Sequence, residues 1–246
     1  YEILNIAQNS FSKTKVNNVI ISDGVLIIDD YAFYYCKSLV NITIPDAVTS
    51  LGNYIFYRCL SLKNIVIPEN VEMLGDSLFA YCSSLKSVQF LSNERITSIP
   101  SGAFNNCNGL AEINIPESVN YIEWGSFYDC DALTSVSINL SASGNNYSTI
   151  DNRAFYDCDN LESVVISVGV DSIDGEAFAN CPKLEKVTIY NKNCEIAETA
   201  ISIYSTIYGF TGSTAETFAN TYGYNFVSID TPCEHTYSND CDTSCN

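Results

Sequence analysis

Apolar positions along this chain recur at a spacing that no single helix or strand could use. Phe, Cys, Leu and two aliphatics keep one register, F-x-x-C-x-x-L-x-x-[IV]-x-[IF]. The copies are Phe33/Cys36/Leu39/Ile42/Ile44, Phe56/Cys59/Leu62/Ile65/Ile67, Phe79/Cys82/Leu85/Val88/Phe90 and Phe104/Cys107/Leu110/Ile113/Ile115. Phe127/Cys130/Leu133/Val136/Ile138, Phe155/Cys158/Leu161/Val164/Ile166 and Phe178/Cys181/Leu184/Val187/Ile189 follow. Successive cysteines are 23, 23, 25, 23, 28 and 23 residues apart. A second apolar pair precedes most of the Phe residues, as in Val25/Ile28, Val48/Leu51, Val71/Leu74, Val119/Ile122 and Val170/Ile173.

Each unit can be read physically. The stretch ending Leu-x-x-Ile-x-Ile alternates with period two and predicts a short strand with one buried face. Pro45, Pro68 and Pro116 stop three of these strands, because proline lacks the N–H the ladder needs. Ala32-Phe33-x-x-Cys36 has helical spacing about one turn long. One unit cannot bury its apolar face alone, whereas stacked units share a continuous core. Strands of successive coils are then expected to pair in parallel about 4.8 Å apart.

The extended pattern I-P-x-x-V-x-x-[IL]-G-x-x-[AIL]-F-x-x-C-x-x-L resembles the BspA-like leucine-rich repeats of bacterial and protozoan surface proteins. Ile44 to Cys59 fits it almost throughout, and the resemblance covers roughly residues 19–190. Residues 207–229 look like the segment that closes such arrays, which a solenoid needs because its last coil has no neighbour. The resemblance implies an α/β repeat fold, a right-handed leucine-rich-repeat solenoid with parallel strands on the concave face and short helical turns on the convex face. Residues 1–22 are expected to cap the N-terminus, 23–190 to form seven repeats and 191–230 to cap the C-terminus. Residues 231–246 are expected to be a Cys/His-containing tail, a linker or the start of a truncated module. The resemblance also implies a bacterial cell-surface or secreted adhesion module that binds a host or microbial surface protein or glycan. The alternative is a structural spacer displaying another domain.

Charge narrows the partners. The formal charge is −18, from 29 acidic and 11 basic residues. That argues against nucleic acid, whose binding depends on releasing counterions to Lys and Arg. No apolar run reaches the length of a membrane span. The chain opens Tyr1-Glu2-Ile3-Leu4 and reads as a trimmed or mature form. The resemblance implies an extracellular or cell-surface location, and a monomer is expected.

Candidate chemistry is sparse, and no cofactor or catalytic role is expected. The repeat cysteines fall in one column of the core, where a reduced thiol serves as a small apolar residue. A serine there is expected to bury a hydroxyl without a designed partner. In the tail, Cys233, His235, Cys241 and Cys245 are four possible zinc ligands. They are expected instead to lie in a disulfide or a linker, although the tail resembles short modules in surface proteins of gut bacteria. Gly75-Asp76-Ser77-Leu78 matches the GDSL motif of a hydrolase family, whose serine needs a downstream Asp-x-x-His. The chain's one histidine, His235, has Pro232 in place of that Asp. Gly52-Asn53-Tyr54-Ile55 fills the same slot in the preceding repeat, so the match reads as a turn.

Two surfaces remain for binding. Outward strand positions, among them Asn41, Asn64, Gln89, Lys186 and Thr188, form a small-residue concave face without aromatics. Two repeats carry insertions, at Leu91–Arg95 and Asn139–Tyr147, and insertions in solenoids go into loops on one edge. Ligand binding is therefore expected at the second insertion with its neighbouring strands, through Ser135, Ser137, Ser141, Asn145, Asn146, Ser163, Glu112 and Asn114. The convex side carries Tyr34, Tyr57, Tyr128 and Tyr156 after the repeat Phe, with Tyr35 and Tyr81 one position further on. Such a row either stacks on a partner or packs along the coil edge.

Overall fold

Coil after coil, the chain pairs with itself in parallel, with neighbours about 23 residues apart. A computed structural model describes residues 4–91, 94–140 and 147–230. The Leu-x-x-Ile-x-Ile segments form strands Asn41–Thr43, Asn64–Ile67, Ser87–Phe90, Ser135–Ile138, Ser163–Ile166 and Lys186–Ile189. Asn64 pairs with Ser87 and Ser163 with Lys186. Across the longer insertion Ser135 pairs with Ser163, so the register survives. The Val-x-x-Ile segments form a second set of short strands. Tyr121–Ile122, Thr149–Ile150, Ser172–Ile173 and Glu195–Ile196 follow one another in one parallel sheet.

The third side of each coil carries the repeat Phe, and here the short helical turns of the sequence reading take a different form. They are linked i to i+3 turns, and the described residues contain one α-helix, Thr214–Tyr222, near the C-terminus. In each coil the residues two before and two after the Phe have left-handed backbones. They are Tyr31 and Tyr35, Tyr54 and Arg58, Ser77 and Tyr81, Gly102 and Asn106, Gly125 and Asp129, Arg153 and Asp157, and Glu176 and Asn180. An α-helix would keep its N–H groups for itself. The turned backbone instead aims alternate N–H groups at the next coil: Tyr31 to Asn53 O at 2.9 Å, Phe33 to Ile55 O at 3.1 Å and Tyr35 to Tyr57 O at 2.8 Å. A left-handed non-glycine residue costs about 1–2 kcal/mol, and the intercoil bonds offset it.

The Phe rings form one stack from the exposed Phe11 through the buried Phe33 to Phe178, with centroids 4.8–5.8 Å apart and planes within 12°. Phe11 belongs to a segment expected only as a cap, yet it is built as a further coil. Leu4–Ile6 pairs with Val25–Ile28 and Asn18–Ile20 with Asn41–Thr43. Asn9 and Lys13 take the two left-handed positions, and Thr14 stands in the cysteine column, 3.4 Å from Cys36 Sγ. At the other end Ile201 takes the place of the next Phe, bridging to Phe178. The helix Thr214–Tyr222 then covers the last coil with Ala215, Phe218 and Ala219. Ser213 caps its N-terminus by accepting Glu216 N–H, and Gly223 ends it with φ 81°. Asn225–Ser228 adds a final strand beside Thr206–Gly209.

The cysteine column is buried, and its thiols have a partner that the sequence reading did not foresee. Each donates to the Phe carbonyl of the preceding coil: Cys59 to Phe33 O at 3.2 Å, Cys82 to Phe56 O at 3.0 Å and Cys107 to Phe79 O at 3.1 Å. Cys130, Cys158 and Cys181 repeat the bond at 3.2 Å. A serine here would therefore face an acceptor, but at the distance a sulfur needs. Cys194, outside the column, is an eighth buried free thiol among the described residues.

Candidate binding surfaces

The strand face holds some of the expected site and scatters the rest. Ser135 and Ser137 are exposed and Ser163 is half-exposed, adjacent across one parallel pair. Glu112 and Asn114 are exposed on a segment with no assigned strand, where the ladder breaks between Ser87–Phe90 and Ser135–Ile138. Asn114 lines an open groove of about 460 Å³ with Phe90, Ile115 and Pro116. Ser141, Asn145 and Asn146 lie outside the described residues, as do Cys233, His235, Cys241 and Cys245. Thr188, expected to face outward, is instead buried, because the closing strand Thr206–Gly209 sets Tyr208 beside it. That residue leaves the candidate face.

The GDSL match is explained by packing. A Cβ on Gly75 would lie 2.3 Å from the backbone C and O of Gly52, so the glycine lets two coils approach. Ser77 occupies a left-handed turn position and gives its N–H to Ser101 O at 2.9 Å. Among the described residues no group of three or more His, Cys, Asp and Glu could hold a metal.

The turn face is richer. Tyr31 stacks on Tyr54 at 5.0 Å and Tyr34 on Tyr57 at 5.2 Å, while Tyr81 meets Tyr57 edge-on at 5.3 Å. The Arg58 guanidinium lies over Tyr81 at 4.7 Å and Tyr35 at 5.4 Å, and Lys37 Nζ over Tyr35 at 4.9 Å. These tyrosines are half-buried, so one side of the array packs on the coils and the other meets solvent. A second stack, Tyr128 on Tyr156 at 5.2 Å, sits farther along. Beside the first array, Lys13, Lys15, Tyr34, Tyr35 and Lys37 line an open groove of about 660 Å³. The sequence reading named six of the tyrosines but missed Tyr31 and Tyr54, which stand two before the Phe. It also missed the lysine groove, which is half-built from a coil it did not see.

Charge along this face is sorted by height. The intercoil ladder puts Lys13, Tyr35, Arg58, Tyr81, Asn106, Asp129 and Asp157 in one column. Two residues further along each turn are Lys15, Lys37, Leu60, Ser83, Asn108, Asp131 and Asp159. Both columns run from cationic to neutral to acidic. At the acidic end Asp129 is pushed up to about 6, first by burial and then by Asp131, Asp157 and Asp159.

The chain matches the BspA type leucine rich repeat region, in six copies, over residues 4–134 and 92–208. It is similar to a leucine-rich repeat protein from Bacteroides ovatus, with 20% identity over 94% of this chain and 88% of that one, at a TM-score of 0.50. It is also similar to the pneumococcal vaccine antigen PcpA, with 15% identity over 91% of this chain and 70% of that one, at a TM-score of 0.52. A leucine rich cell surface protein from Faecalibacterium prausnitzii aligns at 22% identity over 94% and 84% of the two chains, at a TM-score of 0.47. No curated protein matches. The likenesses to the Bacteroides ovatus protein and to PcpA show the fold they share with this solenoid. The family match runs through every described repeat, and the chain belongs to the BspA-type leucine-rich-repeat family.

Proposed function

We propose that this chain is a recognition module working outside the cell, binding a host or microbial surface protein or glycan without catalysing a reaction on it. The observation that carries the reading is the tyrosine array around Arg58, in which Tyr31, Tyr34, Tyr35, Tyr54, Tyr57 and Tyr81 keep one side in solvent. Binding hot spots favour Tyr and Arg, because they join a large apolar surface to a polar tip. Family membership and the likeness to a vaccine antigen support a role at the cell surface. No described helix is long and apolar enough to cross a membrane. The strand face supports the alternative reading as a spacer, since Asn41, Asn64, Ser135 and Ser137 supply only small polar groups.

The test is to present the purified chain with immobilised matrix proteins and a glycan array, then repeat any binding with variants of each surface. Tyr57→Ala is expected to weaken binding about tenfold or more, as a central contact does. Deleting Ser141 to Asn145, or changing Ser135 and Ser137, would weaken it instead if the insertion edge is the contact. Binding to nothing on either panel would refute the recognition reading and leave the spacer.

A further inference from the structure

We infer that the groove between the first two coils is a binding site for an anionic polysaccharide, one whose sugars carry carboxylate or sulfate groups. The inference rests on the recognition reading and names the ligand class for one end of the same face. Its walls are Lys13, Lys15 and Lys37 with the rings of Tyr34 and Tyr35, and its volume of about 660 Å³ is that of a small-ligand cleft. The three lysines are exposed, and none of them has an ion pair among the described residues. Arg58 continues the cationic line one coil on, and its Nε is buried without a hydrogen-bond partner. The turn acids Asp30 and Asp76 stand three before the Phe, five register positions from the column of Lys13 and Arg58. Asp30 is already held there by Asn53 N–H at 2.7 Å.

The concentration of charge is local and selective. Glu2, Asp23, Asp29, Asp30 and Asp46 balance Lys13, Lys15, Lys37, Arg58 and Lys63, so the whole formal charge of −18 falls on residues 64–246. A polyanion is therefore repelled by most of the molecule and admitted at this end. Asp129 stands three coils beyond Arg58, about 14 Å at a coil spacing of ~4.8 Å. Screening at physiological salt acts over about 8 Å, so the acidic end of this column does not cancel the site.

Periodicity and aromatic faces favour a sugar chain over an acidic peptide. Coils repeat their contacts at one strand spacing, which is close to the advance of one pyranose ring along an extended glycan. Tyr34 and Tyr35 add half-exposed ring surface between the cations, suited to the C–H face of a sugar.

The experiment measures binding of the whole chain by calorimetry at two salt concentrations. The probes are a heparin-derived oligosaccharide for sulfate and an oligogalacturonate for carboxylate, and the two arms identify the source of the charge. Neutral maltohexaose, poly-L-glutamate and anionic lipid vesicles serve as comparisons. Binding of either anionic sugar is expected, weakening as salt rises. K13Q/K15Q/K37Q should weaken it at least tenfold at an unchanged melting temperature, K13R/K15R/K37R should retain it, and Asp129→Asn should not matter. An unaffected K13Q/K15Q/K37Q variant overturns the proposal, as does equal binding of maltohexaose, poly-L-glutamate or vesicles. So does a salt-sensitive dimer dispersed by the lysine changes, which would make a second copy the occupant. Failure with every anionic sugar beside a hit on the protein or neutral-glycan panel would end this inference and leave the recognition reading standing.

Discussion

Cys107 sits mid-array with no exposed surface, and changing it to alanine and to serine separates the two contributions of a buried thiol. Alanine removes the sulfur, a loss comparable to a buried methylene at about 0.8 kcal/mol, plus a small cavity and a weak S–H bond. A total of about 1–2 kcal/mol follows. Serine restores a donor, but its C–O bond is shorter than C–S. The oxygen then recedes from Phe79 O, already 3.1 Å from the sulfur, and falls outside the 2.5–3.0 Å range of a good O–H···O bond. A poorly bonded buried hydroxyl costs about 1–3 kcal/mol. Serine should therefore be the worse replacement, by about 1–2 kcal/mol beyond alanine. Urea unfolding followed by circular dichroism measures both, with the slope checked for loss of cooperativity, since solenoids can unfold in parts. Serine equal to or milder than alanine would refute the reasoning and show that the donated bond, not the apolar contact, governs the column. Thiol reagents provide an independent check. Burial pushes Cys82 up to about 12, so the column should label slowly at pH 8 and quickly in urea.

Two further outcomes follow from the coil geometry. Gly75→Ala places a methyl 2.3 Å from the backbone of Gly52, where no side chain can yield, and should cost about 3 kcal/mol or more. Gly125→Ala, with φ 58° and its nearest neighbour at 3.7 Å, should cost only the left-handed penalty of about 1–2 kcal/mol. Equal melting temperatures for the two variants would sink the distinction. Asp129 has a folded pKa of about 6, above the ordinary carboxylate value, so the folded state binds its proton more tightly than the unfolded chain. The stability this adds is present at low pH and lost as pH rises through about 6. The melting temperature should thus rise on going from pH 7 to pH 5, and Asp129→Asn should flatten that part of the profile. An unchanged slope in the variant would assign the effect to other groups.

How much of this was legible in the residues follows from what a repeat records. Every interior coil sits between two like it, so each imposes the same burial on the same positions. The Phe, Cys, Leu and strand columns therefore appear in the sequence as a period, together with the parallel architecture it requires. Phe11 escaped because its coil departs from the motif, with Thr14 standing where the others have the cysteine. Thr188 has the alternation of an outward strand residue, but Tyr208 of the closing strand buries it, and no local pattern encodes that cover. The turn face escaped for a related reason. Its side chains meet partners 22 or 23 residues away, as Tyr31 meets Tyr54 and Arg58 meets Tyr35 and Tyr81. Lys13 and Tyr35 are one groove only once Lys13 N–H has found Tyr34 O in the next coil. Periodicity determined which residues are inside; stacking alone decided which outside residues meet, because that depends on the register and the left-handed turns that only the assembled coils hold in place.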